Sequence, residues 1–237
     1  AVARLNGFDV RQADICQVDY TSLPAADHLH ASSVCTRASS ANVGATESDL
    51  DLAMADAICR AIASHKGRTV TIENVWAYRT FESFERICAA LTAAGFLYDV
   101  AHLNSADYGV PQTRKRLILR AVRGVDRVPG LRPTHGQRGG ILLARWHGWY
   151  NAITDFVHEL PDTKPAPWQL ARMPKALRES MLVHSTDMRS MPTRTPDEPA
   201  FTVMGFSFKD SHQPGGYPRA YIIGGVNTQL AQVDSHA

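Results

Sequence analysis

The sequence lacks several of the patterns that mark common function classes. Its four cysteines, Cys16, Cys35, Cys59 and Cys88, are widely spaced and form no CxxC pair. That excludes a disulfide framework and a zinc ribbon, and fits a protein of a reducing cytoplasm. The ten histidines are scattered; His28-x-His30 is the tightest pair, with no HExxH or HxE…CxxC pattern beside it. Two such side chains fall short of the four ligands of a typical structural zinc, and no metal is expected. No stretch approaches the roughly 18 apolar residues that a membrane span needs. The N-terminal AVARLNGFDV carries no charged-then-apolar leader, and because it does not open with Met an upstream segment is expected. No GxGxxG and no GKS/T stretch occurs, which disfavours flavin, nicotinamide and P-loop enzymes. Internal repeats and low-complexity tracts are absent too.

What is present reads as globular. The 237 residues are 44% hydrophobic, 20% charged and 8% aromatic, enough to bury one large core or two small ones. The net charge of +2 hides an asymmetry. Residues 1–113 hold 8 Lys/Arg against 13 Asp/Glu, whereas residues 114–237 hold 17 against 10. The basic half favours Arg over Lys, and planar guanidinium groups suit phosphates and guanine edges. An acidic catalytic half joined to a basic half that faces nucleic acid fits this balance, and so does an ordinary solvated surface.

Residues 1–124 alternate short apolar runs with helical stretches, the rhythm of a parallel α/β fold. Phe8–Ile15 reads as a short strand and HLHASSV as another, ending in a small-residue loop. From Glu47 to Ala63, Leu52, Ala55, Ile58, Cys59 and Ile62 recur at helical spacing, behind a first turn crowded with acids. RTVTIENV is a β-branched strand; Thr80–Ala94 is an amphipathic helix stopped by Gly95. FLYDVAHLN and RLILRAV are two further strands, separated by a loop containing Gly109-Val110-Pro111-Gln112. After about Val125 the texture changes: Pro and Gly recur, and aromatics stand among arginines, as in Arg145-Trp146-His147-Gly148-Trp149-Tyr150. Residues 125–237 therefore read as a second, loop-rich domain.

Three segments carry chemistry. The loop Ala31–Ser39 follows a strand and precedes a helix, the position at which open α/β sheets bind ligands. A thiol there, Cys35, with Arg37 nearby, has the setting of a nucleophile; a cysteine packed as a small hydrophobe is the commoner alternative. Cys16, Cys59 and Cys88 fit that commoner class. Glu73-Asn74-Val75 ends the next strand, and Gln112-Thr113-Arg114-Lys115-Arg116 opens a later one. If the sheet is parallel, the three segments share one edge, and a thiol, a carboxyl and two guanidiniums surround one cleft.

This ordered set, followed by Arg194-Thr195-Pro196-Asp197-Glu198-Pro199-Ala200-Phe201-Thr202, resembles the DNA cytosine-5 methyltransferases over nearly the whole chain. The match is closest from Glu73 to Arg116. The resemblance implies an α/β, Rossmann-like S-adenosylmethionine-dependent methyltransferase fold, partial and missing its first strands, in residues 1–124. A small target-recognition domain would fill residues 125–237. It implies that Cys35 attacks C6 of a flipped cytosine, that Glu73 holds N3 and the exocyclic amine, and that Arg114 and Arg116 bind the base oxygen and a neighbouring phosphate. Asp14 and Ile15 would bind the adenine of S-adenosylmethionine. Gln112 would support nearby loops, and Arg194 and Thr202 would brace the recognition domain. Double-stranded DNA is the implied partner, in a cytoplasmic protein of bacterial or phage type; one branch of the family acts on tRNA instead.

Two departures shape the expectation. The family's cysteine loop has proline before the cysteine and an aromatic after it, whereas here Ser33, Val34 and Ala38 stand at those places and only Ser39 matches. The glycine-rich cofactor loop before Asp14 and the C-terminal motif after Gly224-Gly225-Val226-Asn227 are missing. A fragment is therefore expected, or one piece of a split enzyme whose complementing chain supplies the glycine-rich loop. The alternative to an enzyme is a catalytically inactive DNA-binding relative.

Overall fold

A computed structural model describes residues 2–34, 38, 46–156, 159, 181–184, 193–202, 220–223 and 231–232. The chain forms two compact units: residues 1–103 with 115–131, and residues 104–114 with 132–237.

In the first unit, a short helix α1 (Val2–Leu5) precedes an irregular stretch. Strands β1 (His28–Ser32), β2 (Thr69–Asn74), β3 (Phe96–Asn104) and β5 (Lys115–Arg123) follow, with β4 (Gln112–Thr113), which belongs to the second unit, between the last two in the chain. Strands β1, β2, β3 and β5 form one sheet in the order β1-β2-β5-β3. Helices α2 (Asp49–Ser64) and α3 (Glu82–Ala93) link β1 to β2 and β2 to β3. Alternation in β2 decides which face they cover: Val70, Ile72 and Asn74 are buried, while Thr69, Thr71 and Glu73 are half-buried. The buried row lies beside Ala121, Leu119 and Leu117 of β5 and packs with Ala55, Ile58 and Ile62 of α2 and Phe84, Ile87 and Leu91 of α3. On the other face, the His28 ring bonds the hydroxyls of Thr69 and Thr71 at 2.9 and 3.0 Å, and His30 bonds Thr71 at 2.8 Å. The two histidines thus serve a cross-strand hydroxyl ladder. Gly67 lets the lead-in to β2 pass closely against the lead-in to β1, because a Cβ there would sit 2.3 Å from the Ala26 carbonyl oxygen.

Both helix starts are capped by carboxylates. The backbone N–H and the hydroxyl of Ser48 donate to Asp51, at 2.9 and 2.6 Å, opening α2. The cap position of α3 is Phe81, which has no acceptor to offer. Glu47 supplies it from across the fold, accepting from the N–H groups of Glu82 and Ser83 at 2.9 and 2.8 Å and from the Ser83 hydroxyl. A carboxylate at that end also meets the positive pole of the helix. Gly95, at φ +78, closes α3 in the left-handed conformation.

Two expectations need correction. Phe8–Ile15 is not a strand: residues 8–14 are irregular, and a 3-10 turn covers Ile15–Gln17. Asp14 accepts from the Cys16 N–H at 2.9 Å, so a local side-chain bond shapes the backbone here. The sheet is also not wholly parallel. β1 and β2 run parallel, whereas β2 and β5 run antiparallel.

Among the described residues, the elements of the second unit are short. β4 pairs in parallel with β10 (Ala200–Phe201), and β6 (His135–Gly136) in parallel with β7 (Ala144–Arg145). An antiparallel sheet runs β12-β11-β8-β9, from Ala231–Gln232, Ala220–Ile223, Met181–His184 and Thr193–Arg194. Trp149 is buried; its N–H groups donate to the carbonyls of Glu198 and Arg194, at 2.9 and 3.3 Å. Trp146 donates through its indole to Asp107 at 2.9 Å. Trp149 is thus enclosed, whereas Trp146 is only partly buried.

Candidate functional site

The site is built at the carboxyl ends of β1 and β2. Parallel pairing sets Ser32 directly beside Glu73, and the Ser32 hydroxyl donates to Glu73 Oε2 at 2.7 Å. Antiparallel pairing of β2 with β5 brings the start of β5 to the end of β2, with Asn74 opposite Leu117. Arg116 Nε therefore meets Glu73 Oε1 at 2.9 Å, with both side chains about a quarter exposed. The expectation that a parallel sheet would gather the three segments at one edge is corrected here, because a fully parallel sheet would have put the start of β5 at the opposite edge. The reversal of β5, which the alternation of apolar residues does not encode, is what joins the two.

Next to Glu73, Asn74 faces inward and is 1% exposed. Its Nδ2 donates to Ser33 Oγ at 2.8 Å, and its Oδ1 accepts from the Val75 N–H at 2.8 Å. The buried amide thus ties the end of β2 to the residue two places before Cys35. Glu47, whose carboxylate caps α3, comes twelve residues after Cys35 in the sequence. Tyr78 lies in this core with its hydroxyl enclosed and without a hydrogen bond of good geometry. Burial pushes its phenol above the usual range, with the hydroxyls of Ser33 and Ser83 drawing it partly back.

Residues 3–164 match the model of the family described as C-5 cytosine-specific DNA methylase, about two thirds of the sequence. The chain belongs to that family. Its fold is accordingly a mixed α/β, Rossmann-like methyltransferase fold. No curated protein matches it. Among solved structures, the Dnmt2 methyltransferase of S. pombe is similar at 15% identity and TM-score 0.43, over 65% of this chain and 54% of that one. The Entamoeba histolytica methyltransferase EhMeth is similar at 13% and 0.44, over 92% and 77%. An E. coli prophage-encoded protein, described as a DNA modification methyltransferase, is similar at 14% and 0.49, over 81% and 68%. The chain thus spans about half the length of the S. pombe protein.

The remaining residues that the methylase resemblance singled out are placed as follows. Cys35, with Thr36, Arg37 and 39–45, lies outside the described residues, whereas Ser33, Val34 and Ala38 lie within them. Gly224–Asn227 is likewise outside. Arg114 belongs to the second unit; its N–H donates to Asn104 Oδ1 at 3.1 Å and its carbonyl accepts from Ser105 at 3.0 Å. Gln112 is in β4, and its carbonyl accepts from the Ser105 hydroxyl at 2.7 Å. Thr202 donates to the Thr113 carbonyl at 2.8 Å, and Thr113 donates to Ala200 at 3.1 Å, so residues 200–202 hold the strand that precedes Arg114. Asp14 and Ile15 are exposed at the 3-10 turn, and Oδ1 of Asp14 accepts from the Cys16 N–H. Among the described residues no group of three His, Cys, Asp or Glu is arranged to hold a metal, and no helix is long and apolar enough to cross a membrane.

The sequence alone did not point to Ser32 or Glu47. Ser32 could have been found from period-two spacing, since His28, His30 and Ser32 share the face of Thr69, Thr71 and Glu73. Nothing local marks Glu47 as a cap for a helix 35 residues on.

Proposed function

We propose that the chain methylates C5 of cytosine in double-stranded DNA. The observation that carries this is the Ser32–Glu73–Arg116 cluster at the carboxyl ends of β1 and β2, whose Ser32 stands three residues before Cys35 in the sequence. In this reading the Cys35 thiolate attacks C6, forming the S–C6 bond and sending the C5–C6 π electrons to C5. Glu73, held by Ser32 and Arg116, accepts from the exocyclic amine and steadies charge developing on the ring. Arg114 and Arg116 act as fixed donors to the base oxygen and a phosphate. Asp14 and Ile15 would hold S-adenosylmethionine, which would supply the methyl group to C5 and leave as S-adenosylhomocysteine. Loss of the C5 proton then returns the electron pair, breaks the S–C6 bond and frees the thiolate. Chemistry on an edge hidden in the stack requires the base to be flipped out, and residues 125–237 serve as the target-recognition region.

Duplex DNA carrying 5-fluorocytosine tests this. Fluorine replaces the departing proton, so with S-adenosylmethionine present the chain should form a covalent adduct, detected as a slow-migrating band, and Cys35→Ser should abolish it. An adduct formed equally by Cys35→Ser would overturn the role of the thiol. Absence of any adduct from the wild-type chain, with or without a complementing chain that supplies the glycine-rich loop, would favour the inactive DNA-binding relative. An adduct from the 237-residue chain alone removes the need for such a partner.

A further inference from the structure

We propose that the loop between β6 and β7 is a wedge that enters duplex DNA at a base step, with Ile141 and Leu142 as the inserted side chains and arginines as the phosphate contacts. The inference rests on the reading of the chain as a DNA methyltransferase. It adds a contact in the second unit that the base-attack residues do not include.

The loop is paired at its base and hydrogen-bonded within. His135 pairs with Ala144 and Gly136 with Arg145, and the Ala144 and Trp146 N–H groups donate to Thr134 and Gly136, each at 3.0 Å. Inside it, Gly139 N–H reaches Gly136 at 3.1 Å and Gly140 N–H reaches Leu143 at 2.9 Å. Gly139 takes φ +68, a conformation open to glycine at little cost. The base is braced by the Trp146–Asp107 bond and by the His135 ring, against which a Cβ at Gly109 would press at 2.9 Å. On this hydrogen-bonded stem, Ile141 is 103% exposed and Leu142 91%. Single exposed aliphatics are ordinary on a protein surface. Two in succession at the tip of an internally bonded loop form a projecting apolar point, with no core beneath it to fill.

Charge selects the occupant. Residues 127–154 contain Arg127, Arg132, Arg138 and Arg145 and no Asp or Glu. Arg132, Arg138 and Arg145 are exposed, and none forms an ion pair among the described residues. A protein partner would call for a broad apolar patch, and a membrane surface for a longer apolar stripe. A duplex needs phosphate donors around a small apolar point that can pry apart stacked base pairs, which is the combination present here.

The test uses the full chain and a fluorescent duplex carrying 2-aminopurine, with Kd measured as a function of salt. Ile141→Ser/Leu142→Ser should weaken binding about tenfold, roughly the loss of one inserted apolar contact, and should remove the 2-aminopurine increase that reports unstacking. Its slope of log Kd against log salt should match the wild type. Arg138→Ala/Arg145→Ala should reduce that slope by about 2. Because the tip is exposed, neither variant should change the melting temperature. Wild-type affinity and an unchanged 2-aminopurine signal in the serine variant would overturn the wedge while leaving the methyltransferase reading intact. So would a serine variant that keeps DNA binding but loses binding to anionic phospholipid vesicles or self-association in sedimentation. A wild-type chain that does not bind duplex DNA would overturn the DNA reading, and the wedge with it.

Discussion

Asn74 and Tyr78 show how tightly the approach to the cysteine loop is specified one residue at a time. Asn74 is fully enclosed and both ends of its amide are used, so an Ala there would leave the Ser33 hydroxyl and the Val75 N–H without their partner in a dry site. Tyr78 is the opposite case, a buried hydroxyl that gains little. Burial raises its phenol, with Ser33 and Ser83 partly opposing that shift. Below the ordinary phenol value of about 10, folded and unfolded chains both keep the proton, and the full stability is present. As pH climbs past that value the unfolded chain loses the proton first, so stability falls. Tyr78→Phe should therefore cost under about 1 kcal/mol at neutral pH, where both partners of a weak hydrogen bond are scarcely missed. Its alkaline unfolding midpoint, followed by circular dichroism, should move to higher pH than the wild type's. A midpoint left in place would mean that another tyrosine governs alkaline unfolding.

At the scale of elements, the start of α3 offers the sharpest prediction. Glu47 reaches across 35 residues to satisfy two N–H groups that Phe81 cannot. Glu47→Ala should lower stability by about 1–2 kcal/mol, the usual cost of a lost cap, and melting should fall by several degrees. Glu47→Gln should recover some of this, since its amide oxygen accepts a hydrogen bond but brings no charge to the helix pole. Equal losses in the two variants would show that charge, not hydrogen bonding, is what matters there. The body of α3, unlike its cap, was legible in the sequence, within two residues at its start and one at its end, because an apolar stripe and a closing Gly95 are local signals. So were β2 and β3, whose alternation or apolar run is local too. What could not be read were relations between elements. The direction of β5 is not written in Lys115–Arg123, yet it decides that Arg116 meets Glu73. Ser32 gains its role only once the register with Glu73 is fixed. Phe8–Ile15 misled because its apolar residues have strand spacing, while Asp14 bonds the backbone locally.

For the molecule as a whole, the order of the chain matters more than a boundary near residue 125. The chain passes between the two units at 103/104, 114/115 and 131/132, so residues 104–114 belong with a partner segment that comes much later. They are held by bonds to that segment: Ala200 N–H to Pro111 at 2.9 Å, Thr113 Oγ1 to Ala200 at 3.1 Å and Thr202 Oγ1 to Thr113 at 2.8 Å. Two more come from nearer in the chain, Thr134 N–H at 3.0 Å and the Trp146 indole at 2.9 Å, both to Asp107. A fragment ending at residue 131 keeps β1, β2, β3 and β5, with the helices that cover them, and loses every one of these five bonds. Hydrogen exchange read by mass spectrometry should then separate two behaviours. Peptides covering Ile72 and Leu119 should retain most of their protection, since their ladder and core stay within the fragment. Peptides from 105–113 should exchange much faster than in the full chain, because what held them is gone. Equal protection of that segment in both proteins would show that β3 and β5 alone fix its shape. The strand carrying Gln112 and Thr113 would then be organised before the rest of the second unit is made.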